Sequence, residues 1–557
     1  MKGRSIFFSL PVAVLLAACL EDSPAGSSSG AVVPIAAVQG DGPMSPFVGR
    51  RVSIRGIVSG DFQDGDDDES GNLGGFFVQS ASDTEPPAGL FVYDGRNSRI
   101  DVRAGDVVVV AGTVQEHFGE TQLAADDVEI VGRGEIRAIA LELPVNAVTL
   151  NDDGDPIADL ERYEGQLVRI PGPLVVTDLY ELERFGAVRL AADDRLYQFT
   201  NANAPDVEGY EAHRRRNAMR SILLDDGQRE GNVAPIRYLW GGAGPNGALR
   251  VGDTLQAVAG ALRYSRGSGA DGAEGWRLMP VAEPEFEAAN PRPGKPVVGG
   301  TVRVASFNVL NYFSTIDGDD AVCGPDRDPC RGADSRDEQQ RQLAKIVSAI
   351  AMAEADVVGL VELENNPAQS LDDIVGALND RLGEDRYRAV RTGTIGRGPI
   401  KTGFIYDQTA VLPEGSFALL DQTVDVQFRD GRNRPALAQT FKTVAGGRQL
   451  TVIVNHLKSK GSPCDDEGDV NAGDGQGNCN GVRTAAAAAL AEWAGNDPTG
   501  SGDPDVLIIG DLNAYLAEDP LRALEGGGFV NLLTLADGVP AYSFVYDGQS
   551  GALDHAL

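Results

Sequence analysis

The 557-residue chain has few basic side chains: 48 Lys and Arg stand against 82 Asp and Glu, and the formal net charge is −34. Long-range repulsion slows the approach of a polyanion to a protein of this sign. The composition therefore argues against a protein that holds nucleic acid by general positive charge. It does not exclude an enzyme that acts on nucleic acid, because bound divalent cations and a local group of Arg and Lys can reverse the potential at one cleft.

Cysteine is also scarce, with five residues in the chain. Apart from Cys19, four remain, and four cysteines in an exported protein allow three pairings. The short separations favour one bridge between Cys323 and Cys330 and another between Cys464 and Cys479. A zinc site is not expected, because neither pair has the gap of about two to four residues typical of zinc ligands and no His lies nearby.

The beginning of the chain lacks an apolar run of transmembrane length. The run Ile6–Ala18 follows Lys2 and Arg4, and it is too short and wrongly flanked for a retained membrane helix. Its end, Leu16-Ala17-Ala18-Cys19, matches the bacterial lipoprotein signal. We therefore expect residues 1–19 to be a lipoprotein signal peptide.

In that interpretation Cys19 is the lipidated N-terminus and anchors the protein to a membrane. Leu20, and not Asp, follows Cys19, which predicts an extracellular or outer-membrane-anchored lipoprotein of a Gram-negative bacterium. A simple secretory signal is the alternative. Residues 20–30, rich in Ser and Gly, are predicted to form a flexible linker.

Four short apolar runs in the second half of the chain each end on a polar residue. Runs of this length, rich in β-branched residues, are typical of buried strands, and the ends of neighbouring strands can meet at one site. One site could therefore hold an amide, two carboxylates and an imidazole, the groups that a metal-assisted phosphodiesterase uses. The runs are Val302–Asn308, Asp356–Glu362, Thr451–His456 and Asp505–Asp511.

These runs lie within longer motifs: ASFNVLNYF (305–313), VVGLVELENN (357–366), KTGFIYD (401–407), VNHLKSKGS (454–462) and IIGDLNAY (508–515). Together and in this order, the motifs resemble the endonuclease/exonuclease/phosphatase superfamily, with its deoxyribonuclease I-like fold, and in particular its large secreted bacterial nuclease branch. The resemblance implies an α/β four-layer β-sandwich catalytic domain over residues 301–557. The implied reaction is hydrolysis of nucleic acid, most readily DNA, by metal-assisted attack of water.

The resemblance also assigns roles to single residues. It implies that Asn308 and Glu362 hold Mg²⁺ or Mn²⁺, hard ions that prefer oxygen ligands. Glu364 is a second-choice ligand, because a continuing strand would place it on the face of Glu362. His456 would face the phosphate, while Asp511 and Asn513, at i and i+2 on one face, would orient the nucleophile and the scissile phosphate.

The implied substrate-binding residues are Arg434, whose guanidinium suits a phosphate, and Lys458, which with Lys460 would add diffuse attraction. Exposed lysines of this kind are otherwise simply solvated. Asp554, in the run LDHAL, matches the family's Asp that orients a second catalytic His from a later Asp-His dipeptide. His555 is a poor substitute for that His, because neighbours in a strand point to opposite faces.

The later dipeptide does not occur among the residues after Asp554. We therefore expect the chain to be a C-terminally truncated piece of a longer product. The alternatives are an enzyme without its usual water-activating base, or a non-catalytic surface protein for adhesion or scavenging. A fourth interpretation keeps the fold and changes the substrate to lipid or inositol phosphates.

A duplicated β-rich region precedes the predicted catalytic domain. The run Phe47–Ile54 is echoed by Tyr163–Ile170, and Arg103-Ala104-Gly105-Asp106 is echoed by Arg250-Val251-Gly252-Asp253. This spacing of strand, Gly-Asp turn and strand predicts two related all-β barrels, at 31–138 and 139–289, and the first resembles an OB-fold module. The segment 290–300, rich in Pro and Gly, is predicted to be a hinge.

Two binding features of the first barrel have competing interpretations. OB folds bind single strands through aromatic side chains, but aromatic residues in small barrels are more often core. The acidic loop Asp64–Glu69 offers ligands for a structural Ca²⁺, yet it lacks EF-hand spacing and is otherwise a solvated turn. No protein partner is implied. The aromatic candidates are Phe76, Phe77, Phe91 and Tyr93.

Overall fold

The computed structural model describes residues 31–63, 71–80, 88–95, 100–233, 236, 238, 249–267, 274–318, 322–535 and 541–557. The predicted signal peptide with Cys19, the predicted linker 20–30 and the acidic loop Asp64–Glu69 lie outside the described residues. Within the described ranges, every helix is too short or too polar to cross a membrane.

The first β-rich unit is a closed five-stranded barrel with the strand order β1-β2-β3-β5-β4. The β-branched strands bury one face in a single core, which includes Ile54, Val78 and Val110. A short helix, α1, packs against that core. The elements are α1 (Ile35–Gln39), β1 (Arg51–Phe62), β2 (Gly75–Ser80), β3 (Gly89–Tyr93), β4 (Asp106–His117) and β5 (Glu120–Arg133).

The aromatic residues of this barrel do not form an exposed platform. Phe76 lies in the barrel core, and Phe77 and Phe91 pack with Phe62 and Met279 in a second buried cluster. Only Tyr93 of the four candidates is partly exposed, at 36%. The stacking-platform hypothesis is therefore wrong for the three phenylalanines, because burial of their large apolar rings stabilises the barrel and its contact with the next unit.

The second β-rich unit is a seven-stranded sheet in the order β15-β13-β14-β12-β10-β9-β6, and an additional β13–β9 pairing closes five of its strands into a ring. The strands of this sheet are β6 (Ile139–Ala140), β9 (Leu167–Asp178), β10 (Ala187–Ala192), β12 (Ser221–Asp225), β13 (Thr254–Ser265), β14 (Gly275–Pro280) and β15 (Phe286–Glu287). Outside it, β7 (Val148–Leu150) pairs with β8 (Pro156–Ala158), and the short strand β11 (Leu196–Tyr197) belongs to another sheet. Its helices are α2 (Leu182–Phe185) and α3 (Val207–Met219), with 3-10 turns at Glu161–Tyr163 and Phe199–Asn201.

The two rings share one pairing pattern. Each has antiparallel pairs at four of its five contacts, and the fifth pair, β3 with β5 or β12 with β14, is parallel. This closed arrangement is compatible with the predicted OB-like barrels. We call the two units the first barrel and the second barrel.

The echoed Gly-Asp turns have the same geometry in both barrels. Gly105 has φ 92° and Gly252 has φ 95°, a left-handed conformation that glycine adopts without strain. In each turn the Asp carboxylate accepts the N–H of the Arg three residues earlier at 2.8 Å, in Asp106 from Arg103 and in Asp253 from Arg250. The repeated sequence therefore encodes a repeated turn.

The C-terminal domain contains two mixed sheets, ordered β16-β17-β19-β18 and β20-β21-β22-β23-β26. The strands are β16 (Val304–Tyr312), β17 (Val357–Glu364), β18 (Tyr387–Ala389), β19 (Ile400–Asp407), β20 (Val411–Leu420), β21 (Arg434–Thr443), β22 (Gln449–His456), β23 (Val506–Asp511), β24 (Phe544–Tyr546), β25 (Gln549–Gly551) and β26 (Asp554–Ala556). The helices are α4 (Arg336–Ala353), α5 (Gln369–Leu382), α6 (Asn480–Gly495) and α7 (Asp519–Gly526), with 3-10 turns at Asp465–Glu467 and Leu532–Leu535.

These elements stack in four layers. Helices α4 and α5 cover the outer face of the first sheet, and α6 and α7 cover the outer face of the second. The inner faces meet in one apolar core, which includes Val357, Phe404, Phe441, Val452 and Ile509. The predicted sandwich of mixed sheets is confirmed.

Local signals in this domain agree with the structure. Ser335 caps α4 by accepting the N–H of Glu338. The bridges Cys323–Cys330 and Cys464–Cys479 are both present, as the short separations predict.

Candidate active site

The two central sheets bring the polar strand ends to one place. Asn308 lies in β16 and Glu362 in β17, which are paired in the first sheet. His456 ends β22 and pairs in register with Asp511, which ends β23 in the second sheet. Because the sheets pack face to face, these four side chains meet across the sandwich, as the polar ends of the apolar runs predict.

The four side chains make direct contacts. The Asn308 Nδ2 atom donates to Glu362 Oε1 at 3.1 Å and to Asp511 Oδ2 at 3.2 Å, so it bridges the two sheets. His456 Nε2 lies 3.9 Å from Glu362 Oε1 and 3.8 Å from Asp511 Oδ2. Potential ligand atoms of Glu362, His456 and Asp511 all lie within 4.8 Å of one another.

The backbone at Glu362 explains why this residue, and not Glu364, reaches the cluster. Glu362 has φ 65°, a left-handed conformation that is unusual for a strand residue. The register of β17 against β19 shifts between Leu360 and Leu363, as in a β-bulge. The regular alternation of side chains along β17 is therefore broken at Glu362, so Glu362 and Glu364 do not point to the same face of the sheet.

Glu364 has a different role from the second-choice ligand that regular alternation predicts. Its Oε2 accepts the backbone N–H groups of Ser314 at 2.8 Å and Thr315 at 3.0 Å, and its Oε1 accepts the Thr315 hydroxyl at 2.7 Å. The carboxylate is buried and holds the chain that follows β16. Glu364 therefore lies outside the cluster that Glu362, His456 and Asp511 form.

The carboxylates of the site lie close together in a buried place. Burial first, and then the charges of Asp554 and Glu362, raise the pKa of Asp511 to about 7, against hydrogen bonds from Asn513 and Asn308 that lower it. Burial and Glu362 also raise the pKa of Asp554. Each cause makes the ionised form unfavourable without a nearby cation.

A divalent cation fits this electrostatic environment. Glu362 and Asp511 offer carboxylate oxygens, and His456 offers a ring nitrogen that burial keeps neutral, since burial and the charge of Arg434 lower its pKa well below the usual value. Carboxylate oxygens suit Mg²⁺ and Mn²⁺. Asn308 Oδ1 accepts the N–H of Leu310 at 2.9 Å, so its amide nitrogen faces the cluster and orients both carboxylates.

Asn513 and Arg434 converge on one backbone carbonyl beside the cluster. The Asn513 Nδ2 atom donates to Leu457 O at 3.1 Å, and Arg434 Nη1 donates to the same oxygen at 3.0 Å. Asp511 Oδ1 accepts the Asn513 N–H at 2.9 Å. Strand β23 ends at Asp511 and Asn513 has φ 48°, so a turn, and not the strand face expected from i and i+2 spacing, brings the two together.

The two lysines of the NHLKSK run bind the protein itself. Lys458 Nζ donates to Ser459 O at 2.9 Å and to Ser462 Oγ at 2.8 Å. Lys460 Nζ donates to both carboxylate oxygens of Glu518 at 2.6 Å. Burial is the first cause that lowers the pKa of each lysine to about 8. Both amines therefore hold loops around the site in place. The sequence predicted instead that these lysines would attract the substrate or be solvated.

The last strand places one carboxylate at the site and turns its neighbouring imidazole away. Asp554 lies directly opposite Asp511 in the antiparallel β23–β26 pair. His555 Nε2 lies 2.8 Å from Ala514 O, and its Nδ1 lies 3.0 Å from Asn531 Nδ2. The opposite orientation of His555 is confirmed, because it binds within the fold and not at the cluster.

Residues 305–557 match the family model described as Endonuclease/Exonuclease/phosphatase family. Among solved structures, the domain is similar to an endonuclease/exonuclease/phosphatase family protein from Bacteroides thetaiotaomicron, with 16% identity over 46% of this chain and 82% of that one and a TM-score of 0.32. It is also similar to the human Nocturnin catalytic domain with bound sulfate (19% identity, 38% and 73% covered, TM-score 0.26). A third similar structure is D. rerio TDP2 with a single-strand DNA product (16% identity, 38% and 74% covered, TM-score 0.24). No curated protein matches the sequence.

Proposed function

Since residues 305–557 belong to the endonuclease/exonuclease/phosphatase family, we propose that this protein is an exported, metal-dependent phosphodiesterase that hydrolyses nucleic acid, with DNA as its first substrate. The observation that carries the proposal is the meeting of Glu362, His456 and Asp511 within 4.8 Å of one another. The two carboxylates can hold a divalent ion for attack of water on a phosphodiester, and the imidazole beside them can contact the phosphate.

Each residue of the site has a defined task in this reaction. Glu362 and Asp511 would hold the divalent ion, which supplies charge neutralisation for the phosphate when it is bound. His456, neutral and buried, donates a hydrogen bond to a phosphate oxygen as negative charge develops. The Arg434 guanidinium lies near enough to Glu362 and Asp511 to interact with their charges. In the reaction it binds a phosphate oxygen. Asn513, tied to Asp511, orients the nucleophile.

Nucleic acid is the proposed substrate because of the two barrels and the motif set. The barrels have the closed form in which many nucleic-acid-binding modules are built. The motifs VELENN (361–366) and NHLKSKGS (455–462) resemble those of the secreted nuclease branch. A lipid or inositol phosphate would require the same hydrolytic groups, so the substrate test includes it.

Export is proposed from the signal sequence together with the two bridges. Disulfides form and persist in oxidising compartments, and the chain contains Cys323–Cys330 and Cys464–Cys479. Lipidation of Cys19 would add the anchor. Radiolabelled palmitate in an expressing Gram-negative host should label the protein and not its Cys19→Ser variant. Equal labelling of both would contradict the anchor.

The activity test compares supercoiled plasmid, sphingomyelin and a phosphoinositide in Mg²⁺, in Mn²⁺ and in EDTA. We expect plasmid cleavage that EDTA abolishes and that His456→Ala and Asp511→Asn lose. The matched control is His117→Ala, which changes an exposed histidine at the end of β4 in the first barrel and should cleave normally. Cleavage of a lipid without plasmid would contradict the substrate class, and no metal-dependent hydrolysis of any substrate would contradict the function.

A further inference from the structure

We propose that Asn201, a residue of the second barrel, is a positioning residue for the active site of the C-terminal domain. The proposal rests on the function proposed above, and it goes further because it makes the second barrel part of the catalytic unit. The hairpin that precedes Asp554 in sequence consists of β24 and β25.

That hairpin carries the support of Asp554. The Ser543 hydroxyl oxygen accepts the backbone N–H of Leu553 at 3.0 Å and that of Asp554 at 3.1 Å. The position of Asp554 opposite Asp511 therefore depends on where the two arms of the hairpin lie.

The second barrel extends the sheet that contains this hairpin. Strand β11 pairs in parallel with β25, in register Leu196 to Gln549, so the three-stranded order is β11-β25-β24. Gln198 continues the contact, because its N–H donates to Ser550 O and its Nε2 donates to Tyr546 O, both at 2.9 Å. The hairpin is thus flanked on one side by the second barrel.

Asn201 joins both arms of the hairpin with one amide group. Its Nδ2 donates to Ala541 O at 3.1 Å, and its Oδ1 accepts the N–H of Ala552 at 3.0 Å. The side chain is 4% exposed, so water does not readily replace these bonds. Ala541 lies two residues before Ser543 and Ala552 two residues before Asp554, so the single amide fixes the spacing of the two arms next to the site.

Thr200, the residue before Asn201, contacts a second chain segment next to the site. Thr200 Oγ1 donates to Glu518 Oε1 at 2.7 Å, and Thr200 O accepts the N–H of Ala517 at 2.9 Å. Glu518 is fully buried and also binds Lys460. The second barrel therefore also holds the segment 513–518, which follows Asp511 in sequence. Thr200 contacts this segment, and Asn201 contacts the hairpin that precedes Asp554.

A purely adhesive contact between domains would stabilise both without changing the chemistry. A positioning contact changes the turnover of bound substrate, because displacement of a catalytic group by about 1 Å can lower the rate up to about a hundredfold. The two possibilities therefore differ in kcat, in the affinity of the site for a divalent ion and in the local protection of the hairpin.

The experiment uses the full chain and three variants. Asn201→Ala removes both bonds, whereas Asn201→Asp keeps the acceptor for the Ala552 N–H and loses the donor for Ala541 O. The matched control is Asn203→Ala, which changes an exposed amide that donates to Phe199 O within its own turn. Each protein is measured for plasmid cleavage, for Mn²⁺ affinity by calorimetry and for backbone hydrogen exchange.

For Asn201→Ala we expect faster exchange in the peptide 541–557 with unchanged exchange in β16 and β22, about tenfold lower kcat with KM unchanged, and weaker Mn²⁺ binding. Asn201→Asp should keep the Ala552 N–H protected, and its kcat and Mn²⁺ affinity should lie between those of the unaltered protein and Asn201→Ala. Asn203→Ala should match the unaltered protein in all three measurements. The proposal is overturned if Asn201→Ala leaves hydrogen exchange, kcat and Mn²⁺ affinity unchanged. It is also overturned if Asn201→Ala and Asn201→Asp both lose protection from hydrogen exchange uniformly across the two domains. If the unaltered protein cleaves no phosphodiester, the proposed function fails, and hairpin exchange with Mn²⁺ affinity still decides the role of Asn201.

Discussion

Asp511 and Asp554 lie directly opposite each other in the antiparallel β23–β26 pair. Burial, Asp554 and Glu362 together raise the pKa of Asp511 to about 7. The fold therefore holds acidic side chains close together in a place where ionisation is unfavourable. A bound divalent cation would remove that penalty, which couples occupation of the site to stability.

The metal-free protein is expected to lose stability as pH rises toward neutrality. The pKa of Asp511 is 3.8 in its ordinary state and about 7 in the fold, so between these values the folded state binds more protons than the unfolded state. Its contribution is fully present below the lower value and is lost as pH rises through the upper one, at up to about 1.4 kcal/mol per pH unit.

Urea unfolding in EDTA at about pH 5 and about pH 7 measures this effect. Asp511→Asn should flatten the dependence, because the amide does not titrate. Saturating Mn²⁺ should reverse the trend for the unaltered protein. Equal pH dependence in the protein and in Asp511→Asn would contradict the assignment to this carboxyl.

Single substitutions of the two glutamates of β17 should separate an effect on metal binding from an effect on stability. Glu362→Gln is expected to weaken Mn²⁺ binding by about tenfold or more, since Glu362 belongs to the donor cluster. Glu364→Gln should leave Mn²⁺ affinity nearly unchanged and lower the free energy of unfolding by about 1–3 kcal/mol, because Glu364 binds Ser314 and Thr315. Calorimetry and urea unfolding check the pair, and a larger loss of metal affinity in Glu364→Gln would refute it.

Arg434 and Lys458 should differ in a substrate assay. Arg434→Lys keeps the charge and removes the planar fork, so we expect kcat/KM on DNA to fall about tenfold. Lys458→Met should instead lower stability by about 1 kcal/mol, because its ammonium binds Ser459 and Ser462. The slope of DNA affinity against salt should not change in Lys458→Met. A shallower slope would restore Lys458 as a phosphate contact.

The two bridges should differ in their contribution to stability. In the chain-entropy description, loss of Cys464–Cys479, which closes a separation of 15 residues, costs about 3 kcal/mol. Loss of Cys323–Cys330, with a separation of 7, costs less, about 2 kcal/mol. Double Cys→Ser variants compared by thermal unfolding test the order. A greater loss from the shorter loop would show that loop packing, and not chain entropy, dominates.

The sequence predicts the site well where a residue ends a regularly paired run. His456 and Asp511 end β22 and β23, and Asn308 is the last residue of β16 before its pairing register shifts, so the apolar runs were sufficient to predict that these residues meet. Glu362 is the informative exception, because its φ of 65° breaks the alternation that would place Glu364 on the same face. Period-two reasoning holds only while the backbone stays regular.

Other assignments depended on contacts that sequence patterns do not contain. The lysines at 458 and 460 follow His456 in a run that resembles a basic patch, yet both amines bind loops of their own domain. Phe76 and Phe77 fit either a platform or a core, and only the packing of the barrels decides for the core. Composition gives the kind of side chain but not what it touches.

The sequence by itself determined the repeated Gly-Asp turns and the two bridges, and its motifs predicted the sandwich domain through their resemblance to a known family. The turns and the bridges follow from local chemistry, namely glycine at positive φ and a short cysteine separation. Only the tertiary structure decided which glutamate enters the cluster, and that Asn201 contacts Ala541 and Ala552 across separations of 340 and 351 residues. Such contacts leave no pattern in the chain, because they depend on how residues far apart in sequence pack together.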